Sequence, residues 1–320
     1  MMREAILDFP KQFEYQPKVE NTKKLKKYSK FVVCGMGGSH LAADLVPAWD
    51  LSYDVIVHRN YGLPAISETD LKKRLIILSS YSGNTEEVLS AYREAKKKKL
   101  NIAIITVGGQ LLKIAKKEKL PYVEIPDTDI QPRMALGFAL IGLMKLMKME
   151  NGIRELHKLA KSLDVKKIEN QGKLLAKKLE NTVPIIYASQ KNEVIAYNWK
   201  IKFNETGKIP SFYNLLPELN HNEMTGFDVK DTTRNLSDKF YFIFLLDKSD
   251  HKQIQKRMIV TERLYKERSL KTISLNLEGQ LFEKIFNSLI LADWIAYYTA
   301  GMYGLQSEKV PMVEEFKKMI

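Results

Sequence analysis

The run Leu75-Ile76-Ile77-Leu78-Ser79-Ser80-Tyr81-Ser82-Gly83-Asn84-Thr85-Glu86-Glu87 constrains this chain more than any other stretch. Its four leading apolar residues form a segment short enough for a strand buried on both faces. Val88, Leu89, Tyr92 and Ala95 then mark an amphipathic helix, with Lys96 to Lys99 at the end where positive charge suits the helix dipole. Asn84 followed by Glu87 predicts a capping box and a helix start just after the glycine. The hydroxyls therefore fall where a strand hands over to a helix N-terminus, whose unpaired N–H groups attract an anion, most often phosphate. Ser80, Ser82 and Thr85 add hydroxyl donors there, and Gly83 lets the backbone come close. The alternative is an ordinary polar turn with a cap. No Gly-Lys-Ser/Thr closes the loop, so a nucleoside triphosphate is not implied.

The same grammar recurs along the chain. Residues 1 to 28 are polar and predict an N-terminal helix packed on the outside. Phe31 to Met36 predicts a buried strand running into Gly37-Gly38-Ser39 and a helix with Leu41, Leu45 and Trp49, without the spacing of a dinucleotide site. Cys34 falls inside this strand as a buried residue rather than a nucleophile. Tyr53 to Val57, Ile102 to Thr106 and Tyr122 to Ile125 predict further strands, the last an edge strand because Pro121 and Pro126 flank it. Gln131-Pro132-Arg133 precedes an apolar helix from Met134 to Met147, and 151 to 181 reads as a lysine-rich connection. Strands at Pro184 to Ala188, Phe240 to Leu246 and Lys271 to Leu275, with a helix from Leu281 to Tyr303, repeat the alternation. The expectation is an α/β protein of two doubly wound parallel-sheet domains, residues 1–150 and 151–320, with ligands at the carboxyl ends of the strands. The second half lacks a serine-rich loop, which favours one site per chain.

Composition narrows the function. The 320 residues suffice for two cores, there is no apolar run of transmembrane length, and Met1 to Asp8 carries no signal-peptide pattern. One cysteine excludes a disulfide framework and a multi-cysteine metal site, and the cytoplasm is the expected compartment. A net charge of +13 raises nucleic acid as a partner, but the lysines are spread over many helices and mixed with glutamate. Solvated helix faces that favour anionic substrates are the simpler account.

Two motifs in the second half carry chemistry. In Trp199-Lys200-Ile201-Lys202-Phe203-Asn204-Glu205-Thr206-Gly207-Lys208 a helix is expected to end at Gly207, leaving Glu205 in its last turn. The dipole disfavours a carboxylate there, a position better suited to a general base than to a structural role, although a lone glutamate is by default a surface side chain. In Pro217-Glu218-Leu219-Asn220-His221-Asn222-Glu223-Met224-Thr225-Gly226-Phe227, His221 is one of five histidines and sits in a dense polar loop. Histidine moves protons near neutral pH, whereas a zinc site would need partners that this spacing does not supply.

Ser80 to Glu87 resembles the phosphosugar loop of the sugar isomerase (SIS) domain. With Gly37–Ser39, Asn204–Lys208 and Glu218–Gly226, the whole chain resembles the bifunctional phosphoglucose/phosphomannose isomerases of archaea and some bacteria. The resemblance implies two SIS domains and a metal- and cofactor-free interconversion of glucose 6-phosphate and mannose 6-phosphate with fructose 6-phosphate. Gly37, Gly38 and Ser39 would meet the sugar, and Arg133 would hold charge on substrate or intermediate. Glu205 would be the base, and Lys317 would assist at the sugar oxygens. His221 would open the ring from the neighbouring subunit of a homodimer. Val310 stands where a bifunctional relative can have threonine, which bears on mannose 6-phosphate. The rivals are a non-catalytic phosphosugar-sensing SIS protein, an aminosugar isomerase and a nucleic-acid-binding protein.

Overall fold

A computed structural model describes residues 1–319, which form two compact units. The first is Asp8–Ser162; the second is Met1–Leu7 together with the chain from Leu163 onward. This division differs from a cut between 150 and 151 at both ends. Ile153, Leu156 and Leu159 are buried on a helix, Glu150–Ser162, that packs on the preceding helix and on the 3-10 turn Phe9–Glu14. The expected outer N-terminal helix shrinks to Met2–Leu7 (α1), whose Met2 and Ile6 are buried in the second unit.

The first unit holds strands β1 (Val19–Glu20), β2 (Lys30–Cys34), β3 (Asp54–His58), β4 (Leu75–Ser79), β5 (Asn101–Thr106) and β6 (Tyr122–Glu124). Its helices are α2 (Leu41–Trp49), α3 (Glu68–Leu71), α4 (Glu86–Lys97), α5 (Gly109–Glu118), α6 (Leu136–Leu146) and α7 (Glu150–Ser162). Strand order is β1-β6-β5-β4-β2-β3, parallel throughout except for β1 against β6. β4 is central and wholly buried, as its apolar run requires, with Ile76 in register with Val32 on one side and Ile102 on the other. Val88, Tyr92, Leu111 and Ala115 of α4 and α5 close one face of the sheet. On the other face Gly142 of α6 brings the helix onto Ile105 and Val123. β6 is not the edge as expected, because the two-residue β1 pairs outside it.

The second unit carries β7 (Val183–Ser189), β8 (Phe212–Leu216), β9 (Phe240–Leu246) and β10 (Lys271–Asn276), all parallel, in the order β10-β9-β7-β8. Its helices are α8 (Val165–Lys178), α9 (Glu193–Lys202), α10 (Glu223–Gly226), α11 (Arg234–Ser237), α12 (Lys252–Glu267), α13 (Leu281–Met302) and α14 (Pro311–Met319). One core is aromatic, built on Tyr187, Phe242, Phe244 and Tyr265. Among the described residues no helix is long and apolar enough to cross a membrane.

Candidate active site

In the first sheet the chain moves from β2 outward to β3 and then returns to β4 on the other side. The crevice between the carboxyl ends of β2 and β4 is thus a topological switch point, where open α/β sheets bind ligands. The Gly37–Ser39 turn follows β2 and the Ser80–Thr85 loop follows β4. They are tied together: Ser79 Oγ donates to the Ser39 carbonyl at 2.6 Å, and the Tyr81 N–H donates to Ser39 Oγ at 2.9 Å. Gly38 is needed because a Cβ there would lie 2.7 Å from the Arg133 backbone nitrogen. Gly37, Gly38, Ser39, Ser80, Ser82, Thr85 and the backbone of Arg133 therefore belong to one cluster of loops in this unit.

Within the loop the hydroxyls divide their tasks. Ser80 is buried; its Oγ accepts from the Gly83 N–H at 3.0 Å and lies 2.7 Å from Thr85 Oγ1, so it shapes the turn from beneath. Ser82 is exposed, accepting only a long 3.3 Å bond from the Asn84 N–H. The capping box expected of Asn84 and Glu87 does not form. Thr85 takes the N-cap position of α4, and Asn84 Oδ1 accepts from the Gln110 N–H at 3.0 Å in the first turn of α5. The asparagine bonds into a neighbouring helix, and α4 starts without a side-chain cap. Arg133 is only 3% exposed, in a 3-10 turn ahead of α6, which begins at Leu136 rather than Met134. Burial pushes the Cys34 thiol up to about 12, so it behaves as a core residue.

In the second unit, α9 ends at Lys202 and passes into a π-helical turn, Phe203–Gly207, that carries Glu205. Such widened turns recur at functional sites. Glu205 is half-buried, and the turn is fixed on both sides. Before it, Lys202 Nζ meets Asp293 Oδ1 of α13 at 2.6 Å with both side chains buried. After it, Lys208 adopts a left-handed conformation and its ammonium donates to the carbonyl of Glu205.

His221 follows β8 in the 3-10 turn Glu218–His221 and is exposed. Glu205 thus precedes β8 and His221 succeeds it. The five-residue strand between them spans about 16 Å at roughly 3.3 Å per residue. Within this unit the two residues lie at opposite ends of the sheet, and Glu205 is not at a carboxyl end. Lys317 is exposed on α14, with Glu314 as its partner at 3.5 Å. Among the described residues no group of three or more side chains could hold a metal ion.

The switch point of the second sheet, between β7 and β9, is filled by the chain's own side chains. Lys284 Nζ lies 2.7 Å from Asp247 Oδ2, Asn192 Nδ2 donates to Asp247 Oδ2 at 3.2 Å, and Ser189 Oγ donates to Asp250 Oδ1 at 2.8 Å. Burial alone would raise Asp247, but the Lys284 ammonium and the Ser249 hydroxyl overcome it and hold the carboxyl at about 2. Burial holds Asp250 above the usual carboxylate range.

Residues 168–320 match the family described as the bacterial phospho-glucose isomerase C-terminal SIS domain. The bifunctional phosphoglucose/phosphomannose isomerase of Caldicellulosiruptor bescii is 34% identical over 100% of this chain and 98% of that protein. The protein of the same name from Aquifex aeolicus is 30% identical over 98% and 96%. Among solved structures, the glucosamine-6-phosphate deaminase of Thermotoga maritima superposes with a TM-score of 0.70 over 97% of this chain and 96% of that one. At 18% identity it speaks for the fold alone.

Proposed function

This chain belongs to the bifunctional phosphoglucose/phosphomannose isomerase family, and from that premise we propose how its residues divide the reaction. It is an aldose–ketose isomerase that interconverts glucose 6-phosphate and mannose 6-phosphate with fructose 6-phosphate. The observation that carries the site is the crevice between β2 and β4, where a hydroxyl-rich loop and a glycine turn are hydrogen-bonded to each other. The exposed Ser82, Thr85 and the first N–H groups of α4 anchor the phosphate. Ser80 holds the loop that presents them, and Gly37, Gly38 and Ser39 line the sugar. Binding energy spent on the phosphate positions C1 and C2 for chemistry.

His221 helps open the ring. Glu205 then takes the C2 proton; the released electron pair forms the C1–C2 double bond, and O1 gains negative charge as a cis-enediolate. Returning the proton to C1, with the O2 proton passing to O1, leaves the carbonyl at C2. Arg133 and Lys317 stabilise the developing oxyanion, so the chemistry needs no metal. Mannose 6-phosphate follows the same path if rotation about C2–C3 presents its C2 proton to the same carboxylate.

The separation of Glu205 and His221 along β8 supports a homodimer in which each active site takes its histidine from the partner. The buried lone thiol and phosphorylated substrates suit the cytoplasm. Glu205→Gln is expected to lower kcat by about 10²–10⁴-fold, the usual worth of a general base, and to leave fructose 6-phosphate affinity nearly intact. A coupled assay beside calorimetric binding checks this, and equal loss of both on a folded variant overturns the role.

A further inference from the structure

The loop that bears His221 is pinned to the core through one carboxylate, and nothing in the reaction described so far uses it. Glu223 lies two positions beyond the histidine, half-buried at the start of α10. One of its oxygens accepts from the Tyr187 hydroxyl and the other from the Asn214 amide. Tyr187 is in β7, fully buried among Phe242, Phe244 and Tyr265, and Asn214 is in β8. Packing alone would be served by phenylalanine at 187, since a buried phenol needs a partner to offset its lost water. Burial drives the Tyr187 hydroxyl far above its ordinary range and the Tyr265 hydroxyl up to about 12. Both stay protonated at neutral pH. Tyr187 has one proton and gives it to the carboxylate, so in the 3.2 Å contact between the phenols Tyr265 donates to Tyr187. The core thus aims a donor relay at Glu223.

On the other side of the histidine, Asn220 donates to Thr261 Oγ1 at 2.8 Å and accepts from Arg257 Nη1 at 3.3 Å, both on α12. Leu219 is fully buried. His221 therefore sits exposed between two anchored neighbours. We propose that Glu223 is a positioning residue, which through Tyr187 and Asn214 fixes the loop so that His221 meets the sugar ring in the orientation that opens it. This rests on the reading of His221 as the ring-opening residue, and the measurement separates the two.

Ring opening is read by α/β anomer exchange of glucose 6-phosphate in NMR, and isomerisation by a coupled assay, on the full-length enzyme. Glu223→Ala is expected to lower both rates together by about 10–100-fold, no more than the lower end of the ~10²–10⁴-fold that a proton-transfer group itself supplies, with KM within about twofold. Glu205→Gln should lose isomerisation and keep anomer exchange. Glu223→Gln keeps an acceptor for the Tyr187 hydroxyl but opposes its own amide to that of Asn214, so it should fall between wild type and Glu223→Ala. In a His221→Ala background, Glu223→Ala should cost almost nothing more, because both changes remove the same act. Should Glu223→Ala not fold, Tyr187→Phe removes a single hydroxyl and must show a smaller loss of the same kind. Full anomer exchange in Tyr187→Phe and in any folded Glu223 variant overturns the proposal, as does an equal loss in the His221→Ala background. Full exchange in His221→Ala itself overturns the parent reading and this one with it.

Discussion

Gly83 shows how much of the site one residue decides. Its φ is +69°, and a Cβ would stand 1.9 Å from the Gly108 carbonyl oxygen, which belongs to the backbone and cannot swing aside. Left-handed backbone costs an ordinary residue about 1–2 kcal/mol before any clash is counted. Gly83→Ala must therefore reshape the loop. Fructose 6-phosphate affinity is expected to fall about tenfold or more, as a penalty above 1.4 kcal/mol implies. Calorimetric titration measures this, and wild-type affinity in a folded Gly83→Ala protein would remove the loop from the phosphate site. The form of this loop was legible in the sequence because a glycine among hydroxyls after an apolar run marks a tight strand-to-helix turn. The anchoring of Glu223 was not, since Tyr187 lies far away in the chain and reads as one more apolar strand residue. Neither was the bond from Asn84 to the first turn of α5, since its spacing to Glu87 imitates a cap that the helix start at Glu86 does not use.

At the scale of elements, the buried apolar strands were readable from their runs, and those that escaped share a physical reason. In β8 (Phe-Tyr-Asn-Leu-Leu) Asn214 interrupts the apolar run, and β1 is two residues long. The ion pairs that lock elements together were equally hidden, because a buried lysine looks like any other in a lysine-rich chain. Lys202 and Asp293 join α9 to α13 beside the turn that carries Glu205. Asp293→Asn would leave a buried ammonium without its counter-charge, and stability measured by urea unfolding should fall by about 3–5 kcal/mol. A loss below about 1 kcal/mol would mean that water reaches the pair. Asp247 makes a pH-dependent clamp between β9 and α13. Its folded value of about 2 lies below the ordinary 3.8, so its contribution is complete above the ordinary value and drains away as pH falls from there through 2. In Lys284→Met, stability at neutral pH should drop and this part of the acid limb should flatten. An unchanged acid limb in urea titrations between pH 4 and 2 would show that the lysine does not hold the carboxyl down.

At the scale of the molecule, the two sheets have been put to different uses. The switch point of the first carries glycine and hydroxyl loops hydrogen-bonded to each other, while that of the second is filled by Lys284, Asp247 and Asn192. Chemistry in the second unit is therefore expected outside its own crevice, at Glu205 before β8 and at His221 after it. If each site takes its glutamate from one subunit and its histidine from the other, two dead variants can repair each other. Glu205→Gln and His221→Ala homodimers each lack one group in both sites. In a mixed dimer, one site inherits both defects and the other inherits none. Random co-assembly of equal amounts makes half the dimers mixed, with one of their two sites intact, so activity should recover to about a quarter of wild type for a closed two-fold dimer. Co-expression with two different affinity tags, followed by tandem purification, isolates the mixed dimer, which should reach about half. If both residues serve the same subunit's site, each site of the mixed dimer lacks one group. The purified mixed dimer would then stay as inactive as its parents, and the shared site would have to be abandoned.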